Sequence, residues 1–144
     1  MLTATREIHL DQELEREIAH EGERRGKSWA AVAVELLGEA IRMRSTPGIV
    51  FVDGPAGRRA AVAGTGLDVW EIIATWEAAG RDDDELHHHY PWLTGTQLRA
   101  ALAYYELHRE EIEERLERER QWTPERVARE LPFSRPGSPA APRE

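Results

Sequence analysis

From Ala4 to Leu10 apolar and polar residues alternate, with Ile8 and Leu10 on one side and Thr5, Glu7 and His9 on the other. That period of two predicts a short strand with one apolar face. The period then lengthens. Asp11 stands where a helix N-cap belongs, Leu14 and Ile18 form a narrow stripe, and Gly26 follows as a left-handed stop. Ser28 caps a second predicted helix that is apolar on several sides, through Trp29, Val32, Ala33, Val34, Leu36, Leu37, Ala40 and Ile41. The first helix offers too little apolar surface to cover the second. A lone strand also leaves its backbone groups without partners. Two chains pairing strand to strand and packing their second helices together would remove both deficits. The predicted dimer core is Ile8, Leu10, Val32, Leu36, Leu37 and Ile41.

Thr46-Pro47-Gly48 breaks the chain. Two β-rich runs follow, Ile49–Val52 and Ala60–Ala63, around the turn residues 53–57, and predict a hairpin with Arg58 and Arg59 beside its turn. Asp68 caps a helix carrying Val69, Trp70, Ile72, Ile73 and Trp76, whose apolar residues predict core, and Gly80 ends it. A short acidic-capped helix is expected from Asp82 to about His89. Thr94-Gly-Thr-Gln97 is a capping box that opens one long helix holding Leu98, Ala101, Leu102, Tyr105, Ile112 and Leu116. From about Gln121 the pattern weakens, and residues 134–144 are rich in proline, which predicts a segment disordered when unbound. The expected fold is mainly α with short β elements, in three parts: 1–46, 47–116 and 117–144.

Composition sharpens this picture. The chain has 144 residues, 32% of them charged and 40% hydrophobic. That is too little apolar material for one large core, and small modules of this kind lean on oligomerisation. Cysteine is absent, so disulfides and thiolate metal sites are excluded. No apolar run approaches the roughly 20 residues of a membrane span, and the N-terminus lacks a signal-peptide pattern; a cytoplasmic protein is expected. The net charge of −8 opposes general attraction to nucleic acid. It is unevenly spread: 7 basic and 9 acidic residues in 1–46, 6 and 13 in 47–116, 6 and 5 in 117–144. A DNA site is therefore a local patch, and the first part is the better place for it.

Catalytic and metal patterns are weak. Adjacent helical residues point about 100° apart, so His87, His88 and His89 do not converge on one ion from one helix. Asp82 to Glu85 sit where a helix begins, and anions there favour the helix dipole. No nucleophile–base pair, phosphate loop or zinc-binding helix motif is present. Neither an enzyme nor a cofactor or metal is expected.

The order strand, Asp-capped helix, Gly26-Lys27-Ser28, apolar helix resembles the ribbon–helix–helix repressors over roughly residues 3–44. That resemblance implies an antiparallel ribbon in the DNA major groove. Thr5, Glu7 and His9 would face the bases, and Ser28 with neighbouring amides and Lys27 would hold a phosphate. Glu7 departs from the usual basic or polar residue; it could accept from cytosine N4 but repels phosphate. The stretch 47–109 is similar to a domain family of unknown function, number 433, which occurs in bacterial toxin–antitoxin operons and has a winged helix-turn-helix shape. The carriers are Ala63-Gly64-Thr65, Asp68-Val69-Trp70, Ala79-Gly80, Tyr90-Pro91-Trp92-Leu93-Thr94 and Gln97 to Tyr104; Gly66 replaces the family's arginine. Together the parts resemble a VapB-like type II antitoxin. Such a protein binds operator DNA as a homodimer, represses its own operon and neutralises a PIN-type ribonuclease toxin. The alternative is a free-standing dimeric transcription regulator with no toxin. In the tail Trp122, Arg126, Arg129, Leu131, Phe133 and Arg135 interleave large apolar anchors with arginines, which marks them as candidate toxin-binding residues. The competing reading makes the tail a solubilising end and gives the toxin contact to 47–116.

Overall fold

The computed structural model describes residues 3–54 and 57–131. The chain is mainly helical, with one two-stranded antiparallel sheet, and divides into two compact units, Met1–Pro47 and Gly48–Glu144.

The first unit is a helical hairpin of α1 (Gln12–Arg25) and α2 (Trp29–Ser45). Its caps follow local chemistry. Asp11 Oδ1 accepts the Leu14 amide at 2.8 Å, and Ser28 Oγ accepts the Ala31 amide at 3.2 Å. Gly26 is left-handed, at φ 66°, and the Lys27 N–H closes back onto the Gly22 carbonyl at 2.9 Å. That closure brings backbone across Gly22, where a Cβ would stand 3.0 Å from the Lys27 carbonyl oxygen. Among the described residues of this unit the buried apolar ones are few: Ile18 on α1 and Val32 on α2. Val32, at 0% exposure, is core of its own chain and has no surface left for a dimer interface. The predicted strand over 4–10 does not form in the single chain, because a strand exists only against a partner that takes its backbone hydrogen bonds.

The second unit begins with β1 (Ile49–Gly54) and β2 (Gly57–Val62), paired so that Ile49 faces Val62 and Gly54 faces Gly57. The strands run closer to the turn than the apolar pattern indicates, and Ala63 lies in the turn after β2. Then come α3 (Val69–Ala78), α4 (Asp83–His89), α5 (Gly95–Leu107), α6 (Arg109–Arg120) and α7 (Pro124–Glu130). Asp82 Oδ1 accepts the amides of Asp84 and Glu85, and Thr94 and Gln97 exchange side-chain bonds with each other's amides. One core joins the hairpin and α3 to α6 through Ile49 and Val62 of the hairpin, Ile72 and Ile73 of α3, Leu86, Leu98, Tyr104, Tyr105, Ile112 and Leu116.

Two expectations are corrected in this unit, and one element is added to them. The long helix breaks at His108 (φ −131°, ψ 43°) into α5 and α6. The break lets α6 pack on both α3 and α5, so that Ile112 and Leu116, each 4% exposed, reach the core. A straight helix would carry them away from it. Trp70 and Trp76 edge the core and are not enclosed by it, because each indole N–H needs a polar partner: Trp70 donates to Asp68 at 3.1 Å and Trp76 to Asp83 at 2.9 Å. The tail is helical over 124–130. Thr123 caps α7 by accepting the Arg126 amide, and Pro124 occupies the first turn, where its missing N–H costs nothing.

Candidate nucleic-acid and partner interface

Along the N-terminal segment Thr5, Glu7 and His9 are all exposed. Ile8 is 65% exposed, and Leu10 is half-buried. Ile8, Leu10, Leu14, Trp29, Val34 and Leu37 border an apolar groove of about 530 Å³ in the first unit. Glu7 and Arg6 border it too, so the two-faced alternation is not developed where no neighbouring strand holds the pleat. Leu36 lines the same groove, and Ile41 stands 66% exposed further along α2. Of the six predicted interface residues, five thus remain available to a partner, and Val32 does not.

The corner between α1 and α2 is built from charges. Glu35 of α2 accepts from Arg25 Nη1 and from Lys27 Nζ, both at 2.5 Å, and Arg25 Nε also reaches Glu21 at 3.0 Å. The Lys27 hydrogen bond is the main reason that the Glu35 carboxyl sits below its ordinary range; partial burial works the other way, and the charges of Lys27 and Arg25 add to the lowering. Lys27, the predicted phosphate ligand, is therefore held by a carboxylate in the free chain, although its side chain remains 45% accessible. Ser28 is occupied as a cap. The first turn of α2 carries no acidic residue, which keeps the positive end of the helix dipole open to an anion.

In the tail, Trp122 and Arg126 find each other. The guanidinium lies 4.6 Å from the indole centroid, and its Nε donates to Glu130 at 3.0 Å. Arg129 and Leu131 are exposed, and α7 buries none of its residues. Phe133 and Arg135 lie outside the described residues. The signal for α7, Thr-Pro-Glu ahead of a short apolar pattern, is present in the sequence but was masked by the low apolar content around it.

Two further features were not singled out. Arg58 and Arg59 of the hairpin converge with Arg115 and Arg118 of α6 around a pocket of about 210 Å³. The hydroxyl of Tyr105, on α5, donates to Glu113 and accepts from Arg81 at 3.5 Å. Burial, and next the Glu113 carboxylate, push that phenol above its ordinary range. On α4, His87 Nε2 lies 3.1 Å from the Leu93 carbonyl oxygen, and the three histidines are exposed. Among the described residues no group of three or more histidines and carboxylates could hold a metal ion, and no helix is long and apolar enough to cross a membrane.

Among curated proteins and among solved structures nothing matches the chain. Residues 49–105, the hairpin with α3, α4 and most of α5, match the sequence model of the family described as "Protein of unknown function (DUF433)".

Proposed function

We propose that this chain is a dimeric, DNA-binding antitoxin of the type II kind, with a ribbon–helix–helix module over 1–46 and a winged helix-turn-helix-like module after it. The observation that carries the reading is the uncovered apolar groove of the first unit. It lies beside an N-terminal segment that has no strand partner among the described residues. A second copy answers both needs: its segment pairs with the first to make a two-stranded ribbon, and its α2 covers Val34, Leu37 and Ile41. The ribbon then turns Thr5, Glu7 and His9 toward base edges in a major groove, which admits such a ribbon. Lys27 and the amides opening α2 hold the flanking phosphate, with Lys27 exchanging Glu35 for the anion. The exposed face of α7 and the residues after it, with Trp122, Arg126, Arg129 and Leu131, bind an acidic ribonuclease cleft by aromatic and arginine anchors. A free-standing regulator would share the ribbon and lack that partner.

The test uses the promoter of the chain's own operon in gel-shift assays, with inhibition of the nuclease encoded beside it measured in parallel. Deleting residues 1–10 is expected to abolish sequence-specific binding while leaving nuclease inhibition. Truncation after Gln121, which leaves α6 whole, is expected to do the reverse. Operator binding by the chain lacking 1–10 would overturn the ribbon. Full inhibition by the truncated chain would move the nuclease contact into residues 48–121.

A further inference from the structure

The second unit holds a pocket that the DNA-binding reading does not use. Two elements far apart in sequence make it: the base of the hairpin turn supplies Arg58 and Arg59, and one face of α6 supplies Glu111, Arg115 and Arg118. The spacing of four and then three residues puts those α6 side chains in one row. Trp70 of α3 forms a further wall. The guanidinium of Arg115 lies 5.0 Å from the Trp70 ring centroid, within reach of a cation–π attraction. Arg59 lies along the turn at Gly54, where a Cβ would stand 3.0 Å from its Nη1. A side chain at that position would press on the guanidinium and shift it by a few tenths of an ångström.

Glu111 accepts the Tyr104 hydroxyl proton at 2.6 Å. Arg58 is paired with Asp53 at 3.0 Å, Arg59 with Asp68 at 3.1 Å, and Arg115 with Glu119 at 2.8 Å. Arg58 also donates to the Phe51 carbonyl at 3.1 Å; a guanidinium carries five N–H donors, and the ion pairs of Arg59 and Arg115 leave donors over on those two. Four guanidiniums therefore line one pocket with Glu111, three of them in ion pairs with Asp53, Asp68 and Glu119 and the fourth, Arg118, in none among the described residues.

We infer that this pocket binds the phosphate group of a small phosphomonoester. A lone carboxylate would be satisfied by one arginine fork, whereas a phosphate dianion presents three terminal oxygens to several donors at once. The volume, about 210 Å³, is below the roughly 300 Å³ at which sites for drug-sized ligands begin, so the pocket takes a phosphate head and not a whole nucleotide. Binding would tie the hairpin to α6, which are separate segments of the same unit. The inference does not depend on the antitoxin reading.

The experiment is a titration of the full chain with inorganic phosphate, at ionic strength held constant with chloride, followed by calorimetry and by phosphorus resonance line width. One saturable site is expected, with phenyl phosphate competing for it. Arg118→Glu, at a side chain without an ion-pair partner among the described residues, is expected to keep the circular dichroism spectrum and to weaken phosphate by about tenfold or more; Arg59→Gln is expected to weaken it as well. A random DNA duplex distinguishes the source of the phosphate. Displacement of bound phosphate by the duplex, with duplex affinity lost in Arg118→Glu, assigns the site to a nucleic-acid backbone; a duplex that leaves phosphate in place assigns it to a free ester. Absence of saturation, or equal binding by the wild-type chain and Arg118→Glu, would overturn the inference.

Discussion

Leu37 gives the sharpest test of dimerisation. It is 59% exposed on α2, so its own chain scarcely depends on it for folding. If a second copy covers it, each protomer buries that remaining surface. Full burial of a leucine is worth about 1.5–3 kcal/mol. Two copies of Leu37, each with a little over half its surface to lose, then contribute about 2–3 kcal/mol to association, and Leu37→Ala should raise the dimer dissociation constant roughly 30- to 150-fold. Leu37→Glu goes further. It places two carboxylates in an apolar interface without partners, each costing several kcal/mol more, so the dimer should be lost at micromolar concentrations. The assay is sedimentation equilibrium over a range of concentrations, with circular dichroism to confirm that α1 and α2 persist. Val32→Ala is the contrasting variant: Val32 is buried within its own chain, so its loss should destabilise the helical hairpin itself. A Leu37→Glu chain that stays dimeric would refute the argument, and so would a wild-type chain that is monomeric throughout.

The Glu35 cluster predicts an acid-sensitive corner. A carboxyl held below its ordinary value of 4.5 contributes stability that is fully present above that value and is lost as pH falls through the lowered one. The stability of the helical hairpin towards denaturant should therefore fall on acidification over that interval, and Glu35→Gln should flatten the dependence; equal steepness in the two chains would count against the cluster. Tyr105 predicts the opposite limb. Its phenol is raised above 10.0, so its contribution is present below that value and lost as pH rises through the higher one. Ultraviolet titration of the three tyrosines should show a late-ionising component that disappears in Tyr105→Phe, and an unchanged profile in that variant would contradict the assignment.

The local part of the fold follows from neighbouring residues alone. Asp11, Ser28, Asp82 and Thr94 are caps because a short polar side chain can reach the amides two or three residues on, a relation that needs no knowledge of the rest of the chain. Gly26 ends α1 for an equally local reason, its freedom to take a positive φ. The hairpin of the second unit was legible from its turn residues, and the deficit of the first unit from its excess of apolar surface on α2. Tertiary structure decided what depends on distant neighbours. The chain breaks at His108 because α3 offers Ile112 and Leu116 a place to pack, and α3 lies some forty residues earlier. Val32 points into its own chain and Leu37 out of it because α1 covers only part of α2, and a helical pattern does not say which part. Arg58 and Arg59 meet Arg115 and Arg118 only through folding: charges more than fifty residues apart in the sequence share a pocket because the hairpin and α6 pack around the same core, and no spacing along the chain records that encounter.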